Sequence, residues 1–404
     1  MRPAVQTPAH RTDRLAELVC SNTFKSVETT SAHGLLKAEL RLLGSVLLAC
    51  ADEARVPGGS ALAVDRDVFS ARATERVTGH ANVEVVREEA GGLPAPGVVA
   101  TGPLTSELLS RAIAAALGEG ALAFYDAIAP VVSFESLDTA RLYRASRYGK
   151  GGGTDYWNAP MSREEYAGFL AALTAADQYQ GHDFDAVPYF EGCLPVEEMA
   201  SRGADTLRFG PMKPVGLADP RTGREPWAVV QLRQEDRAGQ MWNLVGFQTR
   251  LRTAEQQRVF RMIPGLAGAE FLRYGSIHRN SYLNTPKCLS PHLALRDQPA
   301  TLFAGQLTGV EGYTESLGTG LLAGLNLARI LRGQPPLVPP PTTMLGGLLR
   351  YLREADPAHF QPMNANFGLL APLDDPPKNR ERRNAALAAR ALADMAAFRE
   401  ALEA

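Results

Sequence analysis

Cysteine is scarce in this sequence. The 404 residues contain four cysteines, Cys20, Cys50, Cys193 and Cys288, which lie far apart. None belongs to a CxxC pair or has histidines at a spacing typical of zinc sites, so neither a metal site nor a disulfide framework is predicted. We therefore expect free thiols in a reducing, cytoplasmic compartment.

The sequence also lacks an excess of positive charge and any long apolar run. The formal net charge is −2, which excludes a uniformly basic nucleic-acid-binding body and leaves only a local basic patch for RNA. No apolar stretch approaches the ~20 residues of a membrane helix, and residues 1–14 are too polar for a signal peptide, so no membrane partner is expected. The length and a hydrophobic content of 45% predict two domains, each with its own core.

Glycine, by contrast, is concentrated in one segment, residues 302–324. An apolar run at 301–304 predicts a buried strand, four glycines follow, and an apolar helix is predicted from Gly320 to about Ile330. Glycines let a ligand approach the backbone, and a helix start offers N–H groups and a positive dipole to an anion. The same pattern is typical of tight turns in α/β cores, and the residues alone do not separate the two interpretations.

Cys193 has the most reactive setting among the four cysteines. Pro195 suits a first helical turn, which two glutamates make acidic, so Cys193 is predicted at or just before a helix N-terminus. Free N–H groups and the helix dipole stabilise a thiolate there. Cys50 lies on the apolar face of a helix predicted over 34–52, and Cys288 has apolar neighbours, so both are interpreted as structural.

A basic segment with aromatic neighbours lies in the middle of the chain. Its basic residues are Arg141, Arg144, Arg147 and Lys150. They could grip phosphates while nearby aromatic rings stack on bases, or they could form a solvated face beside a flexible glycine turn. Both interpretations stay open here. Strands are predicted at 82–87, 207–214 and 227–233.

Several blocks resemble the folate- and FAD-dependent tRNA (uracil-5-)-methyltransferases, a family related to glutathione-reductase-like flavoproteins and to tRNA-modifying enzymes of the glucose-inhibited-division type. The likeness extends from Met1 to about Leu373, and its most specific block is 304–316, Ala-Gly-Gln-Leu-Thr-Gly-Val-Glu-Gly-Tyr-Thr-Glu-Ser. The implied fold is α/β: a glutathione-reductase-like, Rossmann-type FAD-binding domain with an inserted α+β domain. The other blocks are 16–22, 56–59 with 63–66, 189–198 and 278–282.

The resemblance also implies site residues. Cys193 and Cys20 match two functional cysteines of the family, and Tyr313 matches a tyrosine that stacks on the flavin ring. Which cysteine attacks uracil and which one supports the flavin chemistry is left open. The other residues expected to line the cofactor are Gly305, Gln306, Gly309, Gly318 and Thr319, together with Thr101 and Gly102 of an Ala-Thr-Gly turn.

The implied reaction is methylation of the T-loop uridine of tRNA at C5. A cysteine makes C5 nucleophilic by adding to C6. By resemblance, 5,10-methylenetetrahydrofolate supplies the carbon, reduced FAD supplies two electrons, and NADPH or NADH reduces the flavin. Two alternatives differ in class: a flavin oxidoreductase without an RNA substrate, which has no need of two cysteines, and a cofactor-poor protein that only binds RNA or folate.

The N-terminus departs from the family pattern. A Gly-x-Gly-x-x-Gly turn and a later acidic ribose ligand belong before the end of the second strand, whereas Met1 begins beyond them. We expect roughly 30 further residues in the natural protein, and we expect the 404-residue chain to bind FAD weakly or not at all. The flavin domain is expected at 1–121 and 276–404, with the inserted domain at 122–275.

Overall fold

The structure, a computed structural model, describes residues 4, 7, 9–118, 122–179 and 194–403, without the side chains of 122–126 and 278–279. Helices and strands mix along the whole described chain. Among the described residues, no helix combines the length and hydrophobicity that a bilayer crossing requires.

The strands and helices are numbered in chain order. The strands are β1 Thr23–Ser26, β2 Arg55–Val56, β3 Ala61–Val64, β4 Gly97–Val99, β5 Leu122–Ile128, β6 Val131–Ser133, β7 Tyr143–Arg144, β8 Tyr156–Met161, β9 Ala228–Gln234, β10 Met241–Leu244, β11 Phe271–Arg273, β12 Ser276–Tyr282 and β13 Thr301–Phe303. The helices are α1 Ala32–Leu42, α2 Val46–Glu53, α3 Arg66–Thr78, α4 Glu107–Leu117, α5 Arg163–Thr174, α6 Val196–Ser201, α7 Thr206–Phe209, α8 Thr253–Phe260, α9 Thr285–Cys288, α10 Tyr313–Leu331, α11 Met344–Glu354 and α12 Arg380–Glu403.

One hydrophobic cluster is built from both ends of the chain, within 18–113 and 282–398. Helix α1 lies at its centre, because Leu35, Leu36 and Leu40 are fully buried and the helix contacts α10, α11 and α12. Strand β13 pairs in parallel with β4. This pairing brings the start of the glycine-rich segment next to the Ala-Thr-Gly turn that follows β4.

A second cluster lies between Val132 and Phe271. Its six-stranded sheet has the order β11-β6-β10-β9-β8-β7, with every neighbouring pair antiparallel. Strand β9 is buried along its whole length. Strands β5 and β12 pair over 122–128 and 276–282, where the chain enters and leaves this part. The boundaries at 121/122 and 275/276 stay a prediction, which this division into two clusters favours.

Three local predictions are wrong. Residues 82–87 form no strand and are largely exposed, because no strand among the described residues offers them backbone hydrogen bonds. The predicted strand at 207–214 is instead α7 followed by a turn, in a segment whose prolines cannot donate to a strand ladder. The helix predicted over 34–52 is divided into α1 and α2, because Gly44 adopts a φ of 72° between them. The strand predicted at 227–233 corresponds to β9.

Candidate active site

A glycine-rich turn connects β13 to α10 and shapes the candidate site. Gly305 and Gly312 have φ values of 73° and 117°, in the region that favours glycine. Thr319 fixes the turn from behind, because its buried hydroxyl oxygen accepts the N–H of Gly305 at 2.9 Å. Helix α10 begins at Tyr313, not at Gly320 as predicted from the sequence. Its N-cap residue is Gly312, which has no side chain that could cap the first turn.

A pocket opens in front of this uncapped N-terminus. It is a partly open cleft, with a volume of about 890 Å³ that includes solvent at its mouth. Apolar side chains, three side-chain amides and the charged residues Lys25, Glu311 and Glu315 line it. The residues that matter for the chemistry are Cys20, Phe24, Leu104, Ile128, Asn280, Gln306, Tyr313 and Asn364.

The structure brings Cys20 and Tyr313 together at this pocket. The hydroxyl oxygen of Tyr313 accepts the N–H of Cys20 at 3.0 Å. The Tyr313 ring packs on Phe24, with centroids 5.5 Å apart and planes tilted by 49°. Cys20 is half-buried, and its Sγ lies 4.0 Å from the carbonyl oxygen of Ala127. The residue that begins α10 therefore holds the main chain of Cys20, and both residues line the same pocket.

Gln306, Thr101 and Gly102 lie at or near the pocket. Gln306 lines it, and its side-chain amide donates to Glu311 at 2.6 Å. Thr101 and Gly102 directly precede Pro103, which belongs to the pocket wall. The hydroxyls of Thr101 and Thr105 are 2.6 Å apart, so this turn is braced by its own side chains.

Gly309, Gly318 and Thr319 face the interior instead. A Cβ on Gly309 would lie 2.5 Å from Cζ of Phe360, and one on Gly318 would lie 3.1 Å from Cδ1 of Leu345. Close packing of neighbouring side chains therefore accounts for both glycines without a ligand. Their contact with a cofactor stays a prediction that the pocket lining does not support.

Cys193 lies outside the described residues, so its distance from Cys20 stays a prediction. The helix that follows it, α6, begins after Pro195, and two glutamates form its acidic first turn. Cys50 is completely buried, and burial raises the pKa of its thiol. The thiol of Cys288 donates to the carbonyl oxygen of Asn284 at 3.2 Å. The burial of Cys50 and the hydrogen bond of Cys288 agree with structural roles for these two cysteines.

A buried polar group lies under the first turn of α10. Glu315 accepts the N–H of Ala365 at 2.9 Å and contacts Nδ1 of His33 at 3.2 Å. Burial acts to raise the pKa of Glu315, but the hydrogen bond from His33 and the charge of Lys25 bring that pKa below its ordinary value. The carboxylate is therefore ionised, and it ties the residue-365 loop to the pocket.

The basic segment makes internal contacts. Arg141 pairs with Glu165 at 2.9 Å, and Lys150 pairs with Glu28 at 2.7 Å. The guanidinium of Arg144 lies 5.1 Å from the centroid of the Trp157 ring. Arg147 donates to the carbonyl oxygens of Lys213 and Val215. These contacts favour a structural role over a phosphate-gripping patch.

Sequence reasoning missed three charged residues behind Cys20: Arg66, Glu235 and Arg273. They lie 46 or more positions away in the chain, so no spacing rule connects them to Cys20. The only feature of the sequence that could have drawn attention to Arg66 is the block 63–66, which resembles the family and ends in this arginine.

Comparison with known proteins first defines the class. A family model described as "Glucose inhibited division protein A" matches residues 3–335. Two solved structures of Aquifex aeolicus GidA, in crystal forms II and I, align with a TM-score of 0.66 at 15% identity, covering 96% of this chain and 67% and 70% of theirs. The predicted α/β architecture is thereby confirmed as that of the glucose-inhibited-division class.

Curated relatives then define the family. A Geobacter sulfurreducens protein is 56% identical over 397 residues, covering 98% of this chain and 91% of its own length. A Thermus thermophilus protein is 55% identical over 387 residues, covering 95% of this chain and 87% of its own length. Both are named methylenetetrahydrofolate--tRNA-(uracil-5-)-methyltransferase TrmFO. The chain belongs to this family of enzymes, which confirms the resemblance seen in the sequence.

The family implies FAD, and the pocket fits the ring-bearing end of that cofactor. A flat ring system needs apolar contacts on its faces and polar partners at its edges. Leu104, Ile128 and Tyr313 offer the former, and Asn280 and Gln306 offer the latter. The N-terminus of α10 has no side-chain cap among the described residues and borders the pocket, so its dipole favours an electron-rich group there. Gly312 is explained by packing, because a Cβ on it would lie 2.4 Å from Oε2 of Glu315.

Proposed function

We propose that this chain methylates C5 of the T-loop uridine in tRNA, with 5,10-methylenetetrahydrofolate as carbon donor, FAD as cofactor and NADPH or NADH as reductant. The names of the relatives supply the folate, the tRNA and uracil C5. The T-loop position and the nicotinamide are further parts of the proposal. The structural observation that supports the proposal is the hydrogen bond from the Cys20 N–H to the Tyr313 hydroxyl, which brings a family cysteine and a family tyrosine to one pocket at the start of α10.

The chemistry requires an activated uracil. Cys193 is the proposed nucleophile: its thiolate adds to C6, and the electrons of the C5–C6 double bond make C5 nucleophilic. After C5 has bonded to the one-carbon unit, loss of the C5 proton expels the donor nitrogen and leaves a methylene group on C5. Once two electrons and a proton have converted this methylene into a methyl group, the C6–sulfur bond breaks, the thiolate leaves and the C5–C6 double bond is restored. When bound, reduced FAD would supply the two electrons that convert a methylene into a methyl group.

The remaining residues bind and orient. Tyr313 fixes the main chain of Cys20 and presents its ring to the pocket. Asn280 and Gln306 line the pocket and would orient the edges of a bound ring. Gly305 leaves the turn open, because a Cβ on it would approach no atom more closely than Cβ of Ser316, at 3.9 Å.

Release of tritium from tRNA labelled at uracil C5 tests this proposal. The chain is incubated with FAD, 5,10-methylenetetrahydrofolate and either NADPH or NADH. We expect release from a normal transcript, and none from a matched transcript in which cytidine replaces the T-loop uridine. Equal release from both transcripts would contradict the T-loop assignment.

Two further outcomes identify the alternatives. Flavin reduction without tritium release in either transcript would indicate a flavin oxidoreductase. Purified protein that neither shows flavin absorbance nor acquires it when FAD is added would indicate a non-catalytic binding protein.

A further inference from the structure

We propose that Arg66, working with Glu235, is a positioning residue for Cys20. This inference rests on the proposed function, in which Cys20 acts beside the cofactor. Arg66 opens α3, and Glu235 directly follows β9. The two residues therefore join the glycine-rich half of the molecule to the six-stranded sheet at the position of the thiol.

Arg66 binds the main chain on either side of Val19. Its Nη1 donates to the carbonyl oxygen of Leu18 at 2.5 Å, and its Nη2 donates to that of Cys20 at 2.8 Å. On the opposite edge, Nε donates to Oε2 of Glu235 at 2.5 Å. A guanidinium presents several N–H donors in one rigid plane, whereas a lysine ammonium cannot reach all three acceptors at once.

Cys20 is consequently held at both of its peptide groups. The hydroxyl of Tyr313 accepts its N–H, and Arg66 donates to its carbonyl oxygen. With the two flanking peptide groups fixed, the thiol moves chiefly by rotation about one side-chain bond. Its place at the pocket is thus set by contacts from two remote segments.

Glu235 keeps this guanidinium in place. The side chains of Arg66 and Glu235 are 16% and 3% exposed. Burial acts to raise the pKa of Glu235, but the charge and hydrogen bond of Arg66 bring that pKa below its ordinary value. A buried ion pair depends on both partners, because removing one leaves the other charge uncompensated.

The end of β9 docks on the Cys20 segment through neighbouring bonds as well. Asn22 donates to the carbonyl oxygen of Gln234 at 2.9 Å and accepts Nε of Arg233 at 2.9 Å. Asp65 accepts the N–H of Arg237 at 2.9 Å. The Arg66–Glu235 pair lies within a continuous polar interface, which explains how the turn after β9 reaches Cys20.

The test compares Arg66→Lys and Glu235→Gln with Arg76→Lys. Arg76 is a matched control, because it is an exposed α3 arginine paired with Glu53 at 2.9 Å. Two quantities are measured: the iodoacetamide alkylation rate of Cys20 relative to that of Cys288, mapped by mass spectrometry, and kcat and KM for tRNA methylation. In folded Arg66→Lys protein we expect a changed Cys20 alkylation ratio and a kcat about tenfold lower with KM unchanged, the loss of one charge-assisted hydrogen bond.

Glu235→Gln keeps the side-chain volume and should show the same pattern to a smaller extent, and it decides the question if Arg66→Lys fails to fold. Arg76→Lys should match the wild type in both quantities. A folded Arg66→Lys or Glu235→Gln protein in which either the Cys20 alkylation ratio or kcat equals the wild-type value would overturn the inference. If the wild type does not methylate tRNA, the proposed function fails, and the alkylation ratio alone then decides whether Arg66 positions Cys20.

Discussion

Removing the hydroxyl of Tyr313 measures how far the site depends on its contact with Cys20. Tyr313→Phe keeps the ring that packs on Phe24 but deletes the acceptor of the Cys20 N–H, which lies at 3.0 Å. A buried donor without an acceptor costs ~1–3 kcal/mol. Because Cys20 is half-buried, water can replace part of the bond, and we expect a loss of about 1 kcal/mol in the free energy of unfolding.

Loss of the hydrogen bond between the Cys20 N–H and the Tyr313 hydroxyl should also slow methylation, because the main chain of Cys20 is then held less firmly at the pocket. If ~1 kcal/mol is lost in the transition state, kcat falls about fivefold. Urea unfolding and steady-state methylation measure the two effects. Tyr351→Phe is the control, because the Tyr351 hydroxyl donates to the carbonyl oxygen of Gln361 at 2.7 Å, away from the pocket. It should lose stability without losing kcat. A Tyr313→Phe protein with wild-type stability and kcat, or equal kcat losses in both variants, would refute the reasoning.

Three further predictions concern buried ionisable groups and are all measured by urea unfolding. Glu39→Ala should destabilise the protein by ~2–4 kcal/mol, because its carboxyl group, whose pKa burial raises to about 8, accepts the N–H groups of Met344 and Leu345 at 2.7 and 2.9 Å; an unchanged midpoint would contradict this. Arg273→Met should stabilise by ~1–2 kcal/mol, because Nε and Nη2 of Arg273 are buried without a hydrogen-bond partner among the described residues; a clear loss of stability would argue against it. Burial lowers the pKa of Lys37 from 10.5 to about 7, so the unfolded chain holds the proton between these values while the folded protein does not, and stability relative to Lys37→Met should rise with pH across that window. A pH-independent difference would rule this out.

The glycine-rich segment shows what local pattern can predict. The strand at 301–304 and the turn after it follow from apolar periodicity and glycine spacing, and β13 lies at 301–303. The helix start was placed seven residues too late, at Gly320 instead of Tyr313. Glycines within a helix lower its propensity, but Gly318 is retained because it packs against Leu345 and Leu40.

The surroundings of Cys20 could not be predicted in the same way. Tyr313, Arg66 and Glu235 meet it only through tertiary folding, and no periodicity connects residues so far apart in the chain. The basic segment shows the converse case. Its charges suggested a surface for RNA, yet Arg144 lies over Trp157 and Arg147 binds carbonyl groups of the chain, because partners distant in sequence supply the counter-contacts.

Whether Cys20 and Cys193 serve one methylation site is tested most directly by mass spectrometry of the T-loop uridine after incubation of tRNA with each cysteine variant. The wild type and Cys50→Ser, a control with a buried structural thiol, should both methylate the uridine. Cys20→Ser and Cys193→Ser should leave it unmodified while remaining folded by circular dichroism. Methylation at the wild-type level by either of these two variants would contradict the assignment of the site.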